Sequence, residues 1–276
     1  MSQLTPDQVP EGWNRTSEGY DEHVWTLVHP FAEELVERAE IDPADEVLDV
    51  AAGTGALTML AARRARRVMA LDFAESMLER LRASAQSMEA HNVEITRADG
   101  QDMPLEDGSF DVVCCNFGVI FFPDRGAGLS EMRRVLRPGG RALLSAWSTP
   151  DRFEMFQLFT RTLKRALPDL PLPERPPVFS LSDREQLERQ LHEAGFDEVR
   201  VDTVQHTYDL ESPERFFEGM RQAAPPVAAL MEQLGPEGRE RFREALPEVL
   251  HDRFGEGPLI ATNEAHLAAG YVQGSR

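Results

Sequence analysis

Three aspartates and two glycines are the residues of this chain whose types and spacing could do chemistry. The first aspartate opens the run Asp49-Val50-Ala51-Ala52-Gly53-Thr54-Gly55, which follows the short apolar stretch 46–50. Gly53 and Gly55 let the backbone approach a ligand closely. Asp72 ends the next apolar stretch and Asp99 the one after it. A carboxylate at the position of Asp72 can accept hydrogen bonds from a pair of ribose hydroxyls. One at Asp99 can accept from an amino group on an adenine ring. Any one of these residues alone would read as a cap or a turn. Three carboxylates closing three successive strands at one edge of a sheet read as a nucleoside-type site.

The same residues weigh against a dinucleotide. A dinucleotide fingerprint would carry a third glycine or alanine at position 58, where Thr58 stands. Asp49 at the mouth of the loop would repel a pyrophosphate. A nucleoside bearing positive charge, with a cationic sulfur and an ammonium group, suits an acidic loop.

Elements that could position these residues alternate along the first half. Strand patterns fall at 46–50, 67–71, 93–97, 110–115 and 141–147. Helical patterns fall at 31–39, 56–66, 76–90 and 129–136. Strand, helix, strand at this pitch means right-handed crossovers and a parallel sheet. Apolar runs such as Val112-Val113-Cys114-Cys115 suit a sheet covered on both faces. The second half predicts a helix over 182–194 with Ser182 as its N-cap, and a strand over 198–208. Helices follow across 213–254, broken at Pro225-Pro226, Gly235-Pro236 and Pro247, and a last strand covers 266–272.

In order, and with normal spacing, residues 15–147 carry a linked set of motifs. These are Gly19-Tyr20-Asp21, Val47 through Gly55, Ala70-Leu71-Asp72-Phe73-Ala74-Glu75-Ser76-Met77-Leu78, and Ala98-Asp99-Gly100-Gln101-Asp102-Met103-Pro104. Asp107-Gly108-Ser109-Phe110-Asp111 and Leu136-Arg137-Pro138-Gly139-Gly140 complete it. With them the chain resembles the class I S-adenosylmethionine (SAM)-dependent methyltransferases, most of all the branch of the ubiquinone and menaquinone C-methyltransferases. The resemblance implies an α/β Rossmann-like fold: a seven-stranded, mostly parallel sheet, helices on both faces, and a helical lid over the carboxyl edge. It also implies SAM as cofactor. Asp49, Ala51, Gly53 and Gly55 would hold the methionine moiety, and Asp72 the ribose. Phe73 and Met77 would lie beside the adenine, whose edge Asp99, Gly100 and Gln101 would read. Asn116 and Phe117 would follow the fourth strand beneath the methyl group. Tyr20 would close over the cofactor.

The expected organisation is a SAM-binding core with its N-terminal cover at 1–147, a lid insertion at 148–180, core continuation at 181–210, a second helical lid at 211–257, and a last strand and tail at 258–276. Topology starts both insertions at the cofactor edge. They carry Phe153, Met155, Phe156, Phe159, Phe216, Phe217, Met220 and Met231, which suit an apolar or phenolic small-molecule acceptor. His23, His29 and His206 are the candidates for a general base, and O- or C-methylation is favoured over N-methylation. An NAD-dependent oxidoreductase and a non-catalytic SAM-binding module stay open as alternatives, although no Tyr-x-x-x-Lys pair appears.

The formal net charge of −19 weighs against nucleic acid or anionic membrane as partner. The expected partner is a small-molecule acceptor, and the chain is free to form a homodimer. Cys114 and Cys115 are adjacent in a strand and point to opposite faces, so they cannot pair with each other. With the polar residues 1–10 this fits the cytoplasm, and no metal-ligand spacing is present.

Overall fold

The computed structural model describes residues 4–172, 176–222 and 224–274. Its centre is one seven-stranded sheet of β1 (Glu46–Val50), β2 (Arg67–Asp72), β3 (Val93–Arg97), β4 (Phe110–Asn116), β5 (Leu136–Trp147), β6 (Glu198–Asp209) and β7 (Ile260–Tyr271). The strand order is β3-β2-β1-β4-β5-β7-β6. The first five strands run parallel, and β7 lies antiparallel between β5 and β6. Chain order reverses between β1 and β4, and the crevice at such a reversal is where open α/β sheets bind ligands. Val47, Leu48 and Val50 of β1 and Val112 to Cys115 of β4 are fully buried. Helices on both faces take those runs out of water, and the fold is the Rossmann-like α/β architecture.

The N-terminal cover is longer than its sequence pattern. Helix α1 (Pro10–Gly19) passes through a π-helical turn (Tyr20–Val24) into α2 (Trp25–Arg38). Helices α3 (Ala56–Ala62), α4 (Glu75–Ser87) and α5 (Arg125–Arg134) are the crossovers between strands. The cover is tied to the core by the Ser76 N–H donating to Asn14 Oδ1 at 2.9 Å and by an Arg80–Asp21 ion pair at 2.9 Å. Arg215, from the second half of the chain, pairs with Glu22 at 2.6 Å and ties the cover to the lid.

Helices α6 (Glu154–Ala166), α8 (Pro213–Arg221), α9 (Pro225–Gln233) and α10 (Gly235–Phe254) fall within the two insertions expected to form a lid, and α7 (Arg184–Glu193) lies between them in sequence. The lid helices bury a second apolar core of Phe159, Phe216, Phe217, Met231, Phe242, Leu246 and Leu250. Residue 223 and residues 173–175, within the two insertions expected at 211–257 and 148–180, lie outside the described residues, as do 1–3 and 275–276.

Four local expectations change. Helix α10 runs through Pro247, because Leu246, Val249 and Leu250 around it are buried and hold the turn against the lost N–H. Asp183, not Ser182, caps α7, its side chain accepting from the Gln186 N–H. Strand β5 begins at Leu136, before Pro138-Gly139-Gly140, which enter the sheet as a bulge opposite Phe110–Val112. Gly139 has φ +85 there, a conformation open to glycine. Strand β7 begins at Ile260, since all twelve residues of β6 pair with it.

Candidate cofactor and active site

At the carboxyl edge, where β1, β2, β3 and β4 end, the described residues enclose a cavity with about 680 Å³ of empty space, part of it open to solvent. Tyr20, Ala51, Gly53, Asp72, Phe73, Met77, Asp99, Gly100, Gln101, Asn116 and Phe117 line it, bringing together nearly all of the expected cofactor residues. Asp49 and Gly55 do not line it. The Asp49 carboxylate is tied instead to the Thr58 hydroxyl, which donates to it at 2.6 Å. Gly55 is the N-cap of α3 at φ +96, and a Cβ there would meet Leu81 at 3.0 Å. Both residues shape the loop from behind the cavity.

Each lining group is held by the chain around it. Asp72 accepts from the Gly53 N–H and the Ala74 N–H, both at 2.9 Å, so one carboxylate fixes the glycine loop and the start of α4. Asp99 accepts from the backbone and side-chain amides of Gln101, whose own carbonyl oxygen accepts from the Asp124 N–H at 2.7 Å. At the end of β4, Ser145 Oγ donates to Asn116 Oδ1 at 2.8 Å and accepts from the Phe117 N–H at 2.9 Å. Asn116 Nδ2 donates to the Val28 carbonyl. Ala51 and Phe117 both have φ near +60, a left-handed conformation that costs non-glycine residues energy. Two such residues facing one cavity mark a site whose backbone is fixed by its surroundings.

The cavity is electrostatically one-sided. Its described lining carries the carboxylates of Asp7, Asp72 and Asp99 and no lysine, arginine or histidine. Burial pushes Asp49 up to about 7 and raises Asp72, against their hydrogen bonds. Burial, and the Asp72 and Asp21 charges, hold the Tyr20 hydroxyl protonated. Such a site disfavours a pyrophosphate and suits a cationic nucleoside, so the residues present fit SAM. The orphaned carboxylate oxygens of Asp7 point the same way, since they have no hydrogen-bond partner among the described residues.

Sequence reasoning missed part of the wall. Asp7, Gln8 and Trp13 come from the N-terminal cover, and Gly118, Phe121, Phe122 and Pro123 from the turn after β4. A lone Asp in a polar leading segment carries no signal of its own. Trp13 could have been suspected, as a rare aromatic close ahead of Tyr20. Its ring lies 5.0 Å from that of Phe121 and 6.1 Å from that of Tyr20.

None of the three candidate histidines lines this cavity. His23 lines a second one, with about 1,030 Å³ of empty space open to solvent, together with Val24, Leu27, Met155, Tyr208, Phe216 and Met220. The π-helical turn is a shared wall, with Tyr20 on the first cavity and Glu22, His23 and Val24 on the second. Burial, then Arg215, lowers the pKa of His23. His29 lies against Trp25, with ring centroids 4.0 Å apart, and faces Glu33. His206 packs edge-on against Phe31. An aromatic stack leads from the cofactor cavity towards the lid: Phe117 on Trp147 at 4.0 Å, and Trp147 on Phe153 at 4.4 Å. Of the other lid residues expected at an acceptor pocket, Phe159, Phe217 and Met231 pack the lid's own core.

The comparisons with known proteins agree with this fold. A methyltransferase-domain model matches residues 47–140. The demethylmenaquinone methyltransferase of Corynebacterium kroppenstedtii is 34% identical over 172 residues, covering 59% of this chain and 72% of that protein. Among solved structures, the YcgJ protein of Bacillus subtilis superposes with a TM-score of 0.61 at 17% identity, over 90% of this chain and all of that one. A phosphoethanolamine N-methyltransferase of Haemonchus contortus, solved with S-adenosylhomocysteine, gives 0.54 at 15% identity, over 89% of this chain and 53% of that one. The chain belongs to the SAM-dependent methyltransferase family. Nothing in these comparisons supports the oxidoreductase alternative.

Proposed function

We propose that the protein methylates a small, apolar, phenolic or quinol-type acceptor at carbon or oxygen. The observation that carries this reading is the apolar character of the ground between the cofactor cavity and the lid. Phe117, Trp147 and Phe153 form a continuous stack there, and Met155, Phe216 and Met220 line the second cavity beyond the Tyr20 turn. Phe117 on the first cavity, and Phe216 with the polarizable methionines on the second, suit a flat ring. The demethylmenaquinone methyltransferase relative acts on an acceptor of that kind by its name, which supports the quinol-type reading and, within it, C-methylation.

The cofactor-binding roles of the lining residues are those that the resemblance implies. Asp72 would accept from the ribose hydroxyls, Phe73 and Met77 would flank the adenine, and Asp99, Gly100 and Gln101 would meet its edge. Tyr20, Ala51, Gly53, Asn116 and Phe117 would hold the methionine end, with Asp49 and Gly55 shaping the loop from behind. The chemistry supplied by the bound group is an electrophilic methyl on a cationic sulfur. The chain's own tasks are to hold the acceptor in line, exclude water and accept one proton. Fixing two reactants in the right geometry can lower a barrier by roughly 7–11 kcal/mol. His23 suits the proton-accepting task best of the three histidines, because burial and Arg215 favour its neutral form beside the second cavity.

The test is incubation of the protein with methyl-labelled SAM and a panel of demethylated quinols, phenols and amines, followed by mass spectrometry of the products. Label on carbon or oxygen of an aromatic acceptor is the expected result. Label confined to amines or to macromolecules refutes the acceptor class. On an accepted substrate, His23→Gln is expected to lower kcat by about 10²–10⁴ and leave the SAM Kd unchanged. An unchanged kcat removes His23 from the reaction.

A further inference from the structure

Asp7 lies on a short 3-10 turn (Pro6–Gln8) ahead of α1 and is 1% exposed. Neither carboxylate oxygen has a hydrogen-bond partner among the described residues, although the residue is part of the cofactor cavity's wall. A buried carboxylate without a partner is unfavourable unless something with positive charge or donor groups meets it. The other two cavity carboxylates are engaged: Asp72 by two backbone N–H groups and Asp99 by Gln101. Among the described residues the lining offers Asp7 no cationic side chain. Its backbone, by contrast, is fixed, since Trp13 Nε1 donates to the Asp7 carbonyl at 2.8 Å. The same indole stands against Tyr20 and Phe121, so the Asp7 segment is anchored to the aromatic roof of the cavity.

We propose that Asp7 is a cation-binding residue of the cofactor site. Its carboxylate pairs with a positive group of the bound ligand, the sulfonium or the α-ammonium, and thereby closes the N-terminal cover over it. The inference rests on the cavity being the SAM site. It adds to the family's motif residues a charge supplied from the cover, where no motif lies. It also gives the cover a reason to close on a cationic ligand in preference to a neutral adenosine.

Isothermal calorimetry on wild type and Asp7→Asn, with SAM, S-adenosylhomocysteine and adenosine as titrants, tests it, alongside the melting temperature of each ligand-free protein. The Asn side chain keeps the shape and removes the charge. Hydrogen bonds to a charged group are worth enough that SAM affinity is expected to fall about 10- to 100-fold in the variant. Adenosine, which has neither positive group, is expected to bind both proteins alike. Equal losses for SAM and S-adenosylhomocysteine assign the pairing to the α-ammonium, which both carry. A larger loss for SAM assigns it to the sulfonium. The ligand-free variant is expected to melt no lower than wild type, because it has lost an unpartnered buried charge. Unchanged SAM affinity overturns the inference, and so does an adenosine loss as large as the SAM loss. A variant that melts well below wild type or fails to fold overturns it too, by showing the carboxylate to be structural. Failure of the wild type itself to bind SAM would overturn the reading of the cavity, and this inference with it.

Discussion

Asp49→Asn isolates one buried charge. Asp49 is 1% exposed, and its one side-chain partner is the Thr58 hydroxyl at 2.6 Å, which an Asn carbonyl oxygen can accept equally well. Burial, with a further contribution from the Asp72 charge, pushes the Asp49 carboxyl from an ordinary 3.8 up to about 7. The folded chain therefore holds this proton to higher pH than the unfolded chain does. The associated stabilisation is complete below about pH 4 and is lost as pH rises through about 7. At 1.36 kcal/mol per pH unit, the gap between 3.8 and about 7 is on the order of 4 kcal/mol. Asn carries no such dependence. Urea denaturation of both proteins between pH 4.5 and 8.5 measures the difference, in which the carboxylates common to both cancel. The variant is expected to gain on wild type as pH rises from 4.5, by about 3 kcal/mol in all by pH 8.5. A difference that does not change with pH, or a variant less stable than wild type at pH 8.5, would refute the account of Asp49 as a desolvated acid.

Three further outcomes follow from the structure. Asp72→Ala removes the proposed ribose acceptor and the anchor of the Gly53 N–H, so SAM affinity measured by calorimetry should drop at least about 10-fold; an unchanged Kd would remove Asp72 from the site. Arg137→Gln breaks the pair with Asp111 at 2.5 Å. Burial alone would raise Asp111, but the Glu46 N–H and the Arg137 guanidinium outweigh it and hold the carboxyl below its usual range. The stabilisation from a depressed acid is present above about pH 4 and lost as pH falls, so the variant should be less stable by about 1 kcal/mol or less at pH 7, with the gap closing towards pH 3 in denaturation curves. Leu246→Ala opens a hole in the lid core, where the side chain is 1% exposed, and should destabilise by about 2–5 kcal/mol in urea while leaving the SAM Kd within about twofold. A large Kd change there would couple the lid core directly to the cofactor cavity.

The sequence motifs divide into two kinds once their places are known. The glycine loop, Asp72 and the 99–101 segment lie at the carboxyl edge and face the cavity. Asp107–Asp111 and Leu136–Gly140 lie at the opposite edge, joined by the Arg137–Asp111 pair, and Arg137 also reaches Glu46. Their spacing is equally regular, but their work is to hold the strands in register. Ion pairs between distant segments leave no periodic mark in the sequence, so the two kinds could not be separated there.

Alternation of apolar runs with helical periodicity determined the parallel sheet, because each strand buried on both faces must be continuously apolar and each crossover needs an amphipathic helix. Side-chain type at strand ends determined two of the site's carboxylates, Asp72 and Asp99, which stand where β2 and β3 run out at the crevice. The tertiary structure alone decided which carboxylate is free to meet a ligand. Asp49 is tied to Thr58, nine residues on, while Asp7, in a segment with no motif, is carried into the cavity by the packing of α1 and Trp13. It also decided that most lid aromatics fill the lid's own core, and that none of the three histidines faces the cofactor cavity. Such outcomes depend on contacts between segments far apart in the chain, and local propensity and spacing carry no information about them.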